Sequence, residues 1–166
     1  IGAEVNLIGS LKSGLLMKNL DIDFHIYSDP VTVGCSFAAM SQLAENQAIE
    51  RIEYINLLST HEACIEWHAW YRDSKNNLWK MDMVHMQRGS AFDGYMERVT
   101  EAVIAALTPE IKRAILQIKY DIPETEKITG LEVYRAVLEG GVRNYSDFAK
   151  WHKDNLSAGV TEWIPA

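Results

Sequence analysis

The chain has 166 residues, 48% of them apolar and 23% charged, with a formal net charge of −7. This suffices for one packed domain, with room for a small helical appendage. Two cysteines, Cys35 and Cys64, without metal-type spacing exclude a disulfide framework, and the negative charge argues against a non-specific nucleic-acid binder, which needs a basic face.

In chain order, Ala3 to Ile8 reads as a short apolar strand, and Gly9 to Asn19 as a turn leading into a short helical or irregular piece. Leu20 to Tyr27 alternates, which predicts a strand, and Ser28-Asp29-Pro30 breaks it. Gly34 to Gln47 is predicted helical, with Phe37, Met40, Leu43 and Ala44 near helical spacing. Ile49 to Leu58 is rich in β-branched and aromatic residues and reads as a strand. Cys64 to Arg72 and Leu78 to Met86 are two more, joined through the turn composition "DSKNN".

Ala91 to Leu107 has the pattern of an amphipathic helix. Thr108-Pro109-Glu110 then signals a new helix, with Thr108 as N-cap, running to about Tyr120. Thr129 to Glu139 is another helix, stopped by Gly140-Gly141, and Ser146 to Asn155 is the last, with Ser146 as N-cap. Neither an internal repeat nor a low-complexity tract is present. The organisation is α+β: a mixed, mostly antiparallel sheet of about five strands backed by helices, then a helical half. The expected seam lies near Leu107 to Pro109, dividing 1–107 from 108–166, although no flexible linker marks it and the whole could be one compact unit. No apolar run approaches the roughly 20 residues of a membrane span. No signal peptide is visible, and a reducing, cytoplasmic setting is expected. The chain starts at Ile1 without Met, almost directly in a strand, so it reads as lacking an N-terminal segment.

Side chains alternate across a strand. In "DIDFHIY", Asp21, Asp23, His25 and Tyr27 therefore share one face, and Ile22, Phe24 and Ile26 take the core face. In "CIEWHAWY", Glu66, His68 and Trp70 lie opposite the apolar set. In "LWKMDMVHM", Lys80, Asp82 and Val84 share a face. Joined in one sheet, Asp21, Asp23, Glu66, His68, Lys80 and Asp82 project together from the side not covered by helices. Converging carboxylates repel, and a divalent cation relieves the repulsion. Mg²⁺ takes one or two carboxylates and completes its shell with substrate phosphates, and a pair of such ions serves nucleotidyl transfer. Gly9-Ser10, ten residues upstream, adds a turn whose backbone can approach phosphate closely, with the Ser10 hydroxyl as a further hydrogen-bonding group.

"GSLKSGLLMKNLDIDF" resembles the signature of the DNA polymerase beta-type nucleotidyltransferase superfamily: Gly-Ser, about ten residues, Asp-x-Asp on a strand, and a third acid on a later strand. The resemblance covers roughly residues 1–86. It implies Gly9 and Ser10 as the phosphate turn, and Asp21, Asp23 and Asp82 (in "KMDMV") as metal ligands. As the third acid, Asp82 would bind metal, help to deprotonate the acceptor, or both. The implied reaction moves a nucleoside monophosphate from a nucleoside triphosphate to a hydroxyl, with Mg²⁺ or Mn²⁺, releasing pyrophosphate. Many minimal members carry Arg after the Gly-Ser and Ser before the first Asp. Here Leu11 and Leu20 stand there, which points away from the minimal antitoxin-type group. The helical half matches only the position of the helical domains that small-molecule nucleotidyltransferases append.

Around this site, Lys12, Lys80 and Arg88 are candidates to meet phosphate charge. Glu66 is a candidate extra ligand, while His25 and His68 read better as polar contacts on an open face. His61 and His85 read as packing residues. Trp67, Tyr71 and Trp79 read as core across the hairpin, and Trp70 as an open-face residue that could stack on a base. Tyr145, Trp151 and His152 read as packing before acceptor pocket. The net charge and small size favour a small-molecule or protein hydroxyl as acceptor, for example an aminoglycoside-like cation, and a nucleic-acid partner is not expected. The helical half is the surface left for a homodimer or a protein partner. The alternative is a nucleotide-binding or regulatory module with the same fold and no catalysis; weaker still is a domain whose acids are surface decoration.

Overall fold

Alternation of apolar and polar residues produces five strands in the computed structural model, which describes residues 2–155 and 163–165. They are β1 (Glu4–Ile8), β2 (Asp21–Ser28), β3 (Ile49–Asn56), β4 (Cys64–Arg72) and β5 (Leu78–Gln87). The helices are α1 (Gly9–Lys12), α2 (Val33–Ala44), α3 (Tyr95–Ala106), α4 (Pro109–Asp121), α5 (Gly130–Leu138) and α6 (Tyr145–Asp154). The sheet order is β1-β2-β5-β4-β3, with β2 and β5 parallel and the other neighbours antiparallel. This is the expected α+β class. No helix among the described residues is long and apolar enough to cross a membrane.

The described residues divide into two compact units, 1–11 with 20–97, and 12–19 with 98–166. The division falls within α3, and the seam expected at residues 107–109 lies inside the second unit.

In the first unit, one sheet face buries Ile26, Ile65, Trp67, Ala69 and Met83, with Phe24, Met40, Leu43 and Met81 packed against them. Thr32 starts α2 as its N-cap, its hydroxyl accepting from the Cys35 N–H. A polar chain then pins α2 to the sheet. Trp67 Nε1–H donates to Ser36 Oγ (2.8 Å), Ser36 Oγ meets His85 Nδ1 (3.0 Å), and His85 Nε2 meets Ser28 Oγ (2.7 Å). If Ser36 donates to Nδ1, then Nε2–H donates to Ser28 and Ser28 to the Pro30 carbonyl (3.3 Å), so each proton has one acceptor. His85 is thus the packing residue expected. Of the hairpin aromatics only Trp67 is core; Tyr71 and Trp79 are half-buried, near the hairpin turn. That turn is built on Asp73, whose carboxylate accepts from the Lys75 and Asn77 N–H groups (both 2.8 Å) and from Trp79 Nε1–H (3.1 Å).

The second unit packs α4, α5 and α6 around Ile115, Ile118, Val133, Val137 and Phe148. Thr108 caps α4 as expected, and Thr129 with Glu132 forms a capping box on α5. The N-cap of α6 is Asn144 rather than Ser146, because the Asn144 side chain accepts from the Asp147 N–H. His152 stacks on Phe148 and bonds Glu132 (3.0 Å), and Trp151 lies against Gly140, so both serve packing. Tyr145 donates to Glu126 (2.9 Å).

Burial holds His85 below the usual imidazole range. The unfolded chain then binds a proton that the fold refuses, so stability is full above about pH 6.5 and falls as pH drops below it. Thermal denaturation between pH 7.5 and 5 should show a falling midpoint, and His85→Gln should flatten that dependence while lowering the midpoint at neutral pH. Equal slopes for the two proteins would remove His85 as the cause.

Candidate active site

The register of the first unit's strands sets the site. Parallel pairing of β2 with β5 places Asp23 opposite Asp82 and Asp21 opposite Lys80. Antiparallel pairing continues both rows. One runs Asp23, Asp82, His68, Glu53, and the next Asp21, Lys80, Trp70, Arg51. Because Phe24, Met81, Met83 and Trp67 face α2, these rows lie on the other face. The structure therefore brings Asp21, Asp23, Asp82, Glu66, His68 and Lys80 to one side, as alternation requires.

Asp82 is held from two directions. His68 Nδ1 makes a short bond to Oδ1, and since a carboxylate only accepts, Nδ1 carries the proton. The Lys80 ammonium lies 2.8 Å from Oδ1 and 3.0 Å from Oδ2. The far nitrogen of His68 is 3.8 Å from Glu66, too long for a hydrogen bond. Asp23 is crowded by the turn after β1. Gly9 has φ +69°, and a Cβ there would fall 2.9 Å from the Asp23 carboxyl carbon and closer still to Oδ2. Gly9 is therefore required twice, for a left-handed backbone and for an approach that no side chain permits.

Three expectations change. The site face is not bare throughout: Phe92 packs on Tyr27, Cys64 and Met86, and the first turn of α3 covers His25. His25 is buried rather than a contact on an open face. Its Nδ1 meets Glu97 Oε2 (3.0 Å), Tyr27 O–H donates to Glu97 Oε1 (2.8 Å), and the Gly94 N–H donates to Tyr27 (2.9 Å). Burial lowers the His25 pKa despite the Glu97 carboxylate, and burial chiefly, aided by Glu97, raises that of Tyr27. Arg88 bonds Glu4 and Asp93 and lies 3.8 Å over the Tyr27 ring, which gives it structural work. Lys12 closes α1 two residues after Ser10, and its ammonium pairs with Glu101 at 2.6 Å. His61, expected to pack, is exposed and meets the Phe92 ring edge-on, with centroids 5.5 Å apart. The sequence reading missed Glu97, Ser36 and the pair Arg51 and Glu53; only the alternation of β3 could have placed the last two on the site face.

Among the described residues, no group of three or more His, Cys, Asp or Glu side chains is arranged to hold a metal ion. Asp82 is engaged by Lys80 and His68. What the face offers is a set of hard oxygen donors on two neighbouring strands, beside a glycine cradle. That suits Mg²⁺, which needs only one or two carboxylates when substrate phosphates supply the rest.

No protein-family model matches the chain, and no curated protein matches it in sequence. Solved structures do match. The non-canonical poly(A) polymerase complex GLD-2–GLD-3 aligns with a TM-score of 0.59 at 10% identity, over 96% of this chain and 54% of that one. The Cid1 poly(U) polymerase in complex with its short product ApU aligns at 0.57 and 15%, over 82% of this chain and 41% of that one. Cid1 bound to Mg and 3′-dATP aligns at 0.55 and 17%, over 82% and 42%. The fold is a nucleotidyltransferase fold. The chain spans about two-fifths to half of the length of these neighbours. They also overturn the expectation that nucleic acid is not a partner, since this fold carries poly(U) and poly(A) polymerases. A net charge sums the whole surface and does not describe the face where a strand would lie.

Gly9→Ala should lower stability by about 1–3 kcal/mol through its left-handed backbone and the Asp23 clash. Placed on Asp23→Ala, the same change should cost less, which a double-mutant cycle of thermal denaturation measures. Strict additivity would deny the contact.

Proposed function

We propose that the chain is the transfer unit of an RNA 3′-terminal nucleotidyltransferase. It moves a nucleoside monophosphate from a nucleoside triphosphate to the terminal hydroxyl of an RNA and releases pyrophosphate. The observation that carries the reading is Asp23 beside Asp82 across β2 and β5, with Asp21 one row away on the same face. The fold neighbours support the choice of acceptor, as they include a poly(U) polymerase with a short ApU product and an RNA terminal U-transferase.

Asp21, Asp23 and Asp82 would hold Mg²⁺ or Mn²⁺, which when bound stabilises charge on the attacking and leaving oxygens. Gly9 keeps the turn close enough for its backbone to meet phosphate oxygens, and Ser10 adds a hydroxyl. Asp82 receives the proton of the acceptor hydroxyl as that oxygen bonds the α-phosphorus and the bond to pyrophosphate breaks. For this, Asp82 must give up at least one of its contacts with Lys80 and His68. His68 aims the carboxylate through its Nδ1–H.

With labelled oligoadenylate, nucleoside triphosphates and Mg²⁺, the protein should extend the RNA. Asp21→Ala and Asp23→Ala should reduce extension to background, and Asp82→Asn should slow it about a hundredfold or more, the scale of a lost acid–base group. Each variant should keep its circular dichroism spectrum. Wild-type rates in Asp23→Ala would end this mechanism. Mg²⁺-dependent nucleotide binding with no transfer would mark a binding module instead.

A further inference from the structure

Beside the carboxylate row lies the row Asp21, Lys80, Trp70, Arg51. Trp70 is half-buried on the site face, so its indole is only partly used for packing. The Arg51 guanidinium lies 3.4 Å from the indole centroid, and the Lys80 ammonium 5.9 Å from it. Arg51 is also 3.4 Å from Glu53, but both side chains are about half exposed (57% and 49%), and such a pair is worth little in water.

The placement has a direction. Gly9 and Asp23 stand on the β1 and β2 side of Asp82, whereas Trp70 and Arg51 stand on β4 and β3, beyond β5. Triphosphate and stacking residues thus flank Asp82 on opposite sides. Trp70 is a diagonal neighbour of Asp82, about 7–8 Å away by strand geometry. An acceptor whose terminal hydroxyl reaches Asp82 has its preceding nucleotide within reach of the indole. An aromatic face accepts any base by stacking once the guanidinium over it moves aside, and the guanidinium N–H groups bind phosphate.

We infer that Trp70 and Arg51 form a stacking step for the acceptor RNA, holding the nucleotide that precedes the reacting hydroxyl against β3 and β4. Trp70 supplies the stacking surface. Arg51, which lies over the indole and beside Glu53, leaves both for the adjoining phosphate and so uncovers the ring. Neither residue meets the incoming nucleoside triphosphate. The inference rests on the RNA-transfer reading above and assigns the acceptor's path within it.

The test is anisotropy of a short fluorescein-labelled oligoadenylate titrated with the protein, beside binding of a fluorescent nucleoside triphosphate with Mg²⁺. Trp70→Ala should weaken oligonucleotide binding about tenfold, the scale of one lost base stack. Trp70→Phe should restore most of it, and Trp70→Leu should not. Arg51→Gln should weaken binding and reduce its dependence on salt. Nucleotide affinity should stay at the wild-type value in all four. If the wild type binds the oligonucleotide and Trp70→Ala binds it equally well, the stacking step is wrong and the RNA reading stands. Equal losses of oligonucleotide and nucleotide binding in Trp70→Phe would also overturn the step. If the wild type binds no oligonucleotide, both fall.

Discussion

Two aspartates on paired positions of neighbouring central strands are the constraint from which the rest follows. The register of β2 against β5 leaves Asp23 and Asp82 side by side, where like charges repel. The structure offsets this at Asp82 with the Lys80 ammonium and the His68 N–H. At Asp23 it does something different: it closes the Gly9 turn against the carboxylate. The asymmetry matters for chemistry. One carboxylate is placed beside a backbone turn suited to phosphate. The other is placed next to the Lys80 ammonium and the His68 N–H.

The remaining architecture serves that face. α2 buries the opposite one through Phe24, Ile26, Trp67 and Met83, and the Trp67–Ser36–His85–Ser28 chain fixes the helix without a charged group. Glu97 fixes the start of α3, with one carboxylate oxygen for His25 and the other for Tyr27. Three carboxylates are thus held on a firm sheet, which is what orientation-dependent transfer chemistry requires.

The carboxylate row was legible because its signal is local. Period-two alternation alone separates Asp21 and Asp23 from Phe24, and Asp82 from Met81 and Met83. The hairpin and the α4 start were legible for the same reason, through "DSKNN" and Thr108-Pro109. Glu97 was not, because its partners lie some 70 residues away and a lone glutamate in a helix carries no periodic mark. Alternation gave Trp79 a face but could not say whether a helix reaches that far along it. The α6 cap turned on which of two good capping residues meets the Asp147 N–H. Net charge misled about nucleic acid, since a sum over the whole surface does not say where a single strand would lie. The pairing of Lys12 with Glu101 was not legible, because the two lie far apart in sequence.

The most direct measurement is a crystal structure with Mg²⁺ and a non-hydrolysable nucleoside triphosphate. The account predicts metal on Asp21 and Asp23, the triphosphate against Gly9 and Ser10, and Asp82 turned from Lys80 toward the metal. A triphosphate bound elsewhere, with Asp82 still held by Lys80 and His68, would contradict it.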